Sequence, residues 1–308
     1  MSHIFKSFTD LVGNTPLVEL CNLKNKLGLN ANIFAKLEFL NPAGSVKDRV
    51  ALSMILDAEE KGLLSNGGTV IEATSGNTGI GLAAVCTAKG YNCIIVMPDS
   101  MSVERIKLIE SFGAQVVLTE GKLGMSGAIK KAEEINSQTP NSIIAGQFYN
   151  PANPKAHFNT TGPEIYRDLD GNIDILVCGV GSGGTITGTG RFLKGKNPDI
   201  KVIAVEPKNS PVLTKGTAGS HKIQGIGANF VPDNLDRDVY DTVITVDDND
   251  AFDYARLVCK TEGLSVGISA GAALSAAVSL AKQNDAKDKN IVVIFPDTAS
   301  RYLSTELF

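Results

Sequence analysis

Short β-branched runs alternate with helix-periodic stretches along most of the chain, and this alternation narrows the possible folds more than any other feature. Strand-like runs fall at 33–37, 69–73, 93–97, 115–118, 143–145, 173–180, 201–206, 242–246 and 291–295. Helical patterns fill 45–61, 78–89, 103–111, 126–137, 153–167, 185–194, 250–262 and 270–283. Strands joined through helices pair in parallel, so the expected class is α/β, with mostly parallel, twisted sheets flanked by helices. Runs such as Ile175-Leu176-Val177 are apolar without a break, as strands covered on both faces require. A chain of 308 residues is long enough for two domains of about 100–200 residues each. The clearest boundary is 149–154, where Pro151 and Pro154 interrupt the pattern ahead of a new helix.

Several function classes drop out. Twenty-nine basic residues against 33 acidic ones leave a net charge of −4 with no like-charged run, so a nucleic-acid partner is not expected. Apolar runs such as 291–295 fall far short of the roughly 18 residues of a membrane span. Residues 1–11 alternate Phe with polar residues and lack the basic and apolar regions of a secretory signal, so a cytoplasmic location is expected. The five cysteines form no C-x-x-C pair and there are three histidines, which favours reduced, structural thiols over a metal site. His3 reads as a terminal surface residue, and His157 and His221 as hydrogen-bonded structural groups.

Four segments follow strands and open helices, where α/β proteins bind ligands. In Asn41-Pro42-Ala43-Gly44-Ser45-Val46-Lys47-Asp48-Arg49 a lysine stands in the first turn of a helix. The dipole disfavours its charge there, which suits an amine nucleophile; the plainer alternative is a surface lysine paired with Asp48. In Thr74-Ser75-Gly76-Asn77-Thr78-Gly79 hydroxyls, an amide and backbone N–H groups suit a small anion such as a carboxylate. Gly179-Val180-Gly181-Ser182-Gly183-Gly184-Thr185 suits a phosphate, and Gly267-Ile268-Ser269-Ala270-Gly271 offers one hydroxyl. Gly179, Gly181 and Gly184 also satisfy G-x-G-x-x-G with Glu206 about twenty residues on, so an NAD-dependent dehydrogenase is the rival reading from another class.

Taken in order, these segments resemble the fold-type II pyridoxal-phosphate enzymes, which share the tryptophan-synthase-β-like fold, and among them the cysteine synthase (O-acetylserine sulfhydrylase) family. Gly13-Asn14-Thr15-Pro16-Leu17, Gln147-Phe148, Ile223-Gln224-Gly225-Ile226-Gly227 and Arg301-Tyr302-Leu303-Ser304-Thr305 extend the resemblance over nearly the whole chain. It implies two lobes: a larger cofactor-binding one of 1–40 and 151–308, and a smaller mobile one of 41–150 carrying Lys47 and the carboxylate loop. Lys47 would hold the aldehyde of pyridoxal 5'-phosphate as a Schiff base, Asn77 would bond the ring hydroxyl, and Gly181, Ser182, Gly183, Gly184 and Thr185 would cradle the phosphate. Ser269 would face the pyridine nitrogen. Thr74, Ser75, Gly76, Asn77, Thr78, Gln147 and Gly227 would receive the substrate.

The implied reaction makes L-cysteine from O-acetyl-L-serine and sulfide through an α-aminoacrylate, in a cytoplasmic homodimer. The alternatives within the family are sulfide release from cysteine and cystathionine or lanthionine formation. The motifs mix the two isozyme branches: 41–45 and 161–165 resemble the B form, while Gly183-Gly184 and 223–227 resemble the A form, which binds the C-terminal tail of serine acetyltransferase. Asp233, six residues beyond Gly227, is a candidate base for activating a second nucleophile.

Overall fold

The computed structural model describes residues 4–308; His3 lies outside them. Its ten strands are β1 (Leu17–Glu19), β2 (Asn32–Leu37), β3 (Thr69–Ala73), β4 (Asn92–Pro98), β5 (Gln115–Thr119), β6 (Ser142–Ile144), β7 (Ile175–Gly179), β8 (Lys201–Pro207), β9 (Thr242–Val246) and β10 (Asn290–Phe295). The described residues divide into two compact units, one of 4–12 with 41–153 and the other of 13–40 with 154–308. Residues 4–12 fall in the first unit although the motif order puts them with the larger one, because Phe8 packs against the first unit's core.

The first unit holds a parallel four-stranded sheet in the order β5-β4-β3-β6. Val70, Cys93, Ile95 and Met97 point to one face, where they meet apolar residues of the helices Lys47–Glu60 and Asn77–Lys89. Ile71 and Val96 point to the other and meet Ala128 and Ala132 of the helix Gly124–Gln138. The helix Asn77–Lys89 lies close on its neighbour: a Cβ at Gly81 would sit 3.0 Å from the Lys47 carbonyl oxygen.

The second unit holds a six-stranded sheet, β1-β2-β10-β7-β8-β9, parallel except for β1. Alternation splits each strand between two cores. Ile33, Val177, Val205, Val293 and Phe295 face the helices Asp248–Glu262 and Ile268–Ala281, while Leu176, Cys178, Val202 and Val292 join Ile165, Ile186 and Leu193 on the opposite face. Both faces are dry, which accounts for the unbroken apolar runs. Lys36 on β2 is fully buried; its Nζ donates to the Thr15 carbonyl and pairs with Glu164 at 2.9 Å. The second Glu164 oxygen accepts the Asn14 N–H at 3.0 Å, so the 13–17 motif is anchored to the helix Gly162–Asp168.

One expectation is corrected, and the strand β1 and the helix Cys21–Leu27 are among the elements that the sequence pattern does not predict. The helix expected over 153–167 is instead Ala152–Ala156, one π-helical turn at His157–Thr161, and Gly162–Asp168. The π turn fits against Gly188, where any Cβ would overlap the Pro154 carbonyl and stand 2.8 Å from the His157 Cβ.

Candidate active site

Each unit carries one set of site residues at a topological switch point, where sheet order reverses and the carboxyl ends of two strands leave a crevice. In the first unit β3 is flanked by β4 and β6, so the loop after β3 lies beside the loop after β6. Thr74 is buried on the first of these loops and Thr78 in the first turn of the helix Asn77–Lys89 that follows it, while Gln147 is buried on the second loop. The Thr78 hydroxyl donates to Gln147 Oε1 at 2.5 Å. The Thr74 hydroxyl accepts the Gly76 N–H at 3.2 Å, and Arg105 Nη1 donates to the Ser75 carbonyl at 2.8 Å. Asn77 is the first residue of its helix, and neither it nor Gly76 and Ser75 is fully buried.

Lys47, half-buried, opens the helix Lys47–Glu60, with its N–H on the Ser45 hydroxyl at 3.2 Å. Asp48 is fully buried and turns back to accept the Ala43 N–H at 2.6 Å, closing the loop that presents Lys47. That use of Asp48 weighs against a surface Lys47–Asp48 pair.

In the second unit the reversal lies between β10 and β8 about β7, and the glycine loop follows β7. Gly183, at φ +80°, caps the helix Gly184–Lys196, whose N-cap has no side-chain hydrogen bond. A Cβ at Gly181 would overlap the Gly225 carbonyl, and one at Gly183 would stand 2.8 Å from the Leu235 backbone nitrogen. The loop backbone is thus pressed between two neighbouring segments, with the donors of the helix's first turn at its end. The Gly227 N–H donates to the Val180 carbonyl at 2.9 Å, and His221 Nε2 donates to the Gly227 carbonyl at 2.9 Å. Ser269 is buried in the first turn of the helix Ile268–Ala281, 3.4 Å from where a Cβ on Gly225 would be. The unit therefore gathers Gly181–Thr185, 225–227 and Ser269. Asp233 is exposed on a tight turn closed by the Leu235 N–H on the Pro232 carbonyl at 3.0 Å.

The dehydrogenase reading fails at its acidic residue. Glu206 is buried and accepts from the Leu213 N–H at 2.7 Å, the Thr214 N–H at 3.2 Å and the Thr214 hydroxyl at 2.6 Å, so it caps the turn Val212–Lys215 and is not presented to a ribose.

Residues 8–297 match the family model described as "Pyridoxal-phosphate dependent enzyme". The chain belongs to that family. A cysteine synthase of Buchnera aphidicola subsp. Schizaphis graminum is 52% identical, the match covering 100% of this chain and 97% of that one. Among solved structures, a cysteine synthase from Entamoeba histolytica superposes with a TM-score of 0.96 at 42% identity, covering 100% of this chain and 91% of that one. A hydrogen sulfide-producing enzyme from Fusobacterium nucleatum does so with a TM-score of 0.92 at 45% identity, covering 97% of this chain and 100% of that one. As a pyridoxal-phosphate dependent enzyme the chain uses pyridoxal phosphate. Its residues fit that group: Gly181 and Gly183, where a Cβ would crowd neighbouring backbone, lead into a helix start with no side-chain cap, and a lysine opens a helix in the unit that also carries the hydroxyl loop.

Two residues near these sets were not singled out as site residues from the sequence. His157 is fully buried, with Nδ1 2.8 Å from the Thr161 hydroxyl and Nε2 3.2 Å from the Thr185 hydroxyl, so it steadies a member of the glycine loop. Glu72 is a buried carboxylate on β3 whose only signal in the sequence is its polarity amid Thr69-Val70-Ile71 and Ala73.

Proposed function

We propose that this chain forms L-cysteine and acetate from O-acetyl-L-serine and sulfide. The observation that carries this reading is full-length identity of 52% to a cysteine synthase. Pyridoxal phosphate, when bound, withdraws electrons from the substrate α-carbon, which makes its proton removable and lets the β-substituent depart. Lys47 supplies the amine that anchors the cofactor, and its Nζ takes the α-proton. Gly181, Ser182, Gly183, Gly184 and Thr185 hold the phosphate with backbone N–H groups and hydroxyls, and Asn77 bonds the ring hydroxyl. Ser269 offers the ring nitrogen a neutral hydroxyl where an aspartate would hold it protonated, which favours elimination over transamination. Thr74, Ser75, Gly76, Asn77, Thr78, Gln147 and Gly227 bind the amino acid, and carboxylate binding draws 41–150 into motion as one body. The enzyme acts as a cytoplasmic homodimer, and the A-like motifs at 183–184 and 223–227 support a serine acetyltransferase tail as a partner. The test is cysteine formation by the purified holoenzyme from O-acetyl-L-serine and sulfide; no turnover overturns the reading.

A second reading is favoured by the 45% identity to a hydrogen sulfide-producing enzyme. In it cysteine itself is the donor and its thiolate leaves as sulfide, while water or a second cysteine adds to give serine or lanthionine. Asp233, exposed on its turn, would act as the base. Holoenzyme incubated with cysteine alone should release sulfide, and Asp233→Asn should release less; equal release from the variant removes Asp233 from the reaction.

A further inference from the structure

After β6 ends at Ile144, the Ala145 N–H still meets the Ile71 carbonyl at 2.9 Å. The chain then leaves the ladder at Gly146, whose φ of +72° turns it away from β3. The next two N–H groups would be buried without an acceptor, a cost that folded proteins avoid. Glu72 supplies it. One carboxylate oxygen accepts the Gly146 N–H at 2.7 Å, and the other accepts the Gln147 N–H at 3.3 Å. The Gln147 amide oxygen accepts from the Thr78 hydroxyl at 2.5 Å, which leaves its nitrogen, a donor, as the end that suits the Glu72 carboxylate, a group that only accepts. The Asn153 side chain donates to the Gln147 carbonyl at 2.8 Å and fixes the same residue from the other side.

We propose that Glu72 is a positioning residue: its buried carboxylate sets both the backbone and the amide orientation of Gln147, and so shapes the Thr78–Gln147 pair that receives the α-carboxylate of an amino-acid substrate. This rests on the reading above that Thr78 and Gln147 form that subsite. Glu72 itself touches neither substrate nor cofactor. With a glutamine in its place, one of the two acceptors becomes an amide donor facing N–H groups, and the orientation of Gln147 is no longer specified.

The experiment uses holoenzyme at pH 8.5, where Glu72 is ionised, and two probes, L-alanine and L-alaninamide, which differ in the carboxylate alone; affinity is read from the absorbance change of the bound cofactor. Gln147→Ala, Glu72→Gln and Glu72→Asp are compared with the parent. Glu72→Gln is expected to weaken L-alanine about tenfold, the loss of one charge-assisted hydrogen bond, while L-alaninamide stays within about twofold. Glu72→Asp, which keeps the charge but shortens its reach, should fall between the parent and Glu72→Gln. If Gln147→Ala leaves L-alanine binding unchanged, the subsite reading fails and the proposal with it. If Gln147→Ala weakens L-alanine but Glu72→Gln does not, the subsite stands and the proposal alone is overturned. Equal weakening of both probes, or loss of fold in both Glu72 variants, assigns Glu72 to the framework and also overturns it.

Discussion

Burial pushes Glu72 up from its ordinary value of 4.5 to about 7, against the opposing pull of its bonds from Gly146 and Gln147. Between those two values the folded chain keeps a proton that the unfolded chain has released, so stability falls as pH rises through the window. Across that window the effect amounts to about 3 kcal/mol. Glu72→Gln should flatten the melting temperature between pH 5 and pH 7.5 relative to the parent; a parallel pH profile would assign the titration elsewhere. For Lys47 the expectation is chemical: Lys47→Ala should lose at least about 10³-fold in turnover, and borohydride reduction of the parent should leave the pyridoxyl group on Lys47. A label on any other lysine would displace the assignment. Lys47 was legible because its helix-start position is local in the sequence. Glu72 was not, because its reason to exist is the pair of N–H groups freed at Gly146, 74 residues away in the chain.

Strands were readable from their β-branched runs: 69–73 and 242–246 coincide with β3, buried along most of its length, and with β9, a half-exposed edge strand. The three-residue β1 is too short to show a period, and the helix Cys21–Leu27 buries only Leu23 and so shows no apolar face. The π turn was hidden for another reason. It packs against Gly188 on a different helix, and nothing in 153–167 records that approach. Gly188→Ala should therefore cost about 3 kcal/mol in chemical denaturation, since the methyl would overlap the Pro154 carbonyl; a loss under about 0.5 kcal/mol would mean that the π turn yields easily. The start of the helix Ile268–Ala281 makes a separate prediction. Its dipole favours an anion at Ser269, so Ser269→Asp should be ionised, retain cofactor and slow elimination by more than about tenfold. Unchanged single-turnover elimination would count against Ser269 facing the ring.

At the scale of the whole chain, neither unit is contiguous. Residues 13–40 belong with 154–308, while 41–153 intervene with their own sheet. The helix and strand periodicity does not by itself announce this excursion, because a strand's apolar run does not name its partner; only the order of the motifs implied it. β2 pairs residue for residue with β10, Asn32 opposite Asn290 through Leu37 opposite Phe295. Pairing over so long a separation is slow, so in refolding followed by pulsed hydrogen exchange the amides of 69–73 and 92–98 should gain protection before those of 32–37. Simultaneous protection would point to a single cooperative step. The same register has a consequence during synthesis. By the time the ribosome has added Ile144, all four strands of the smaller sheet exist, whereas β2 must wait for translation to reach the 290s, more than 250 residues after its own emergence. Until then an apolar strand with one of its two neighbours unmade is held out of water only by whatever transient cover the nascent chain or a chaperone provides.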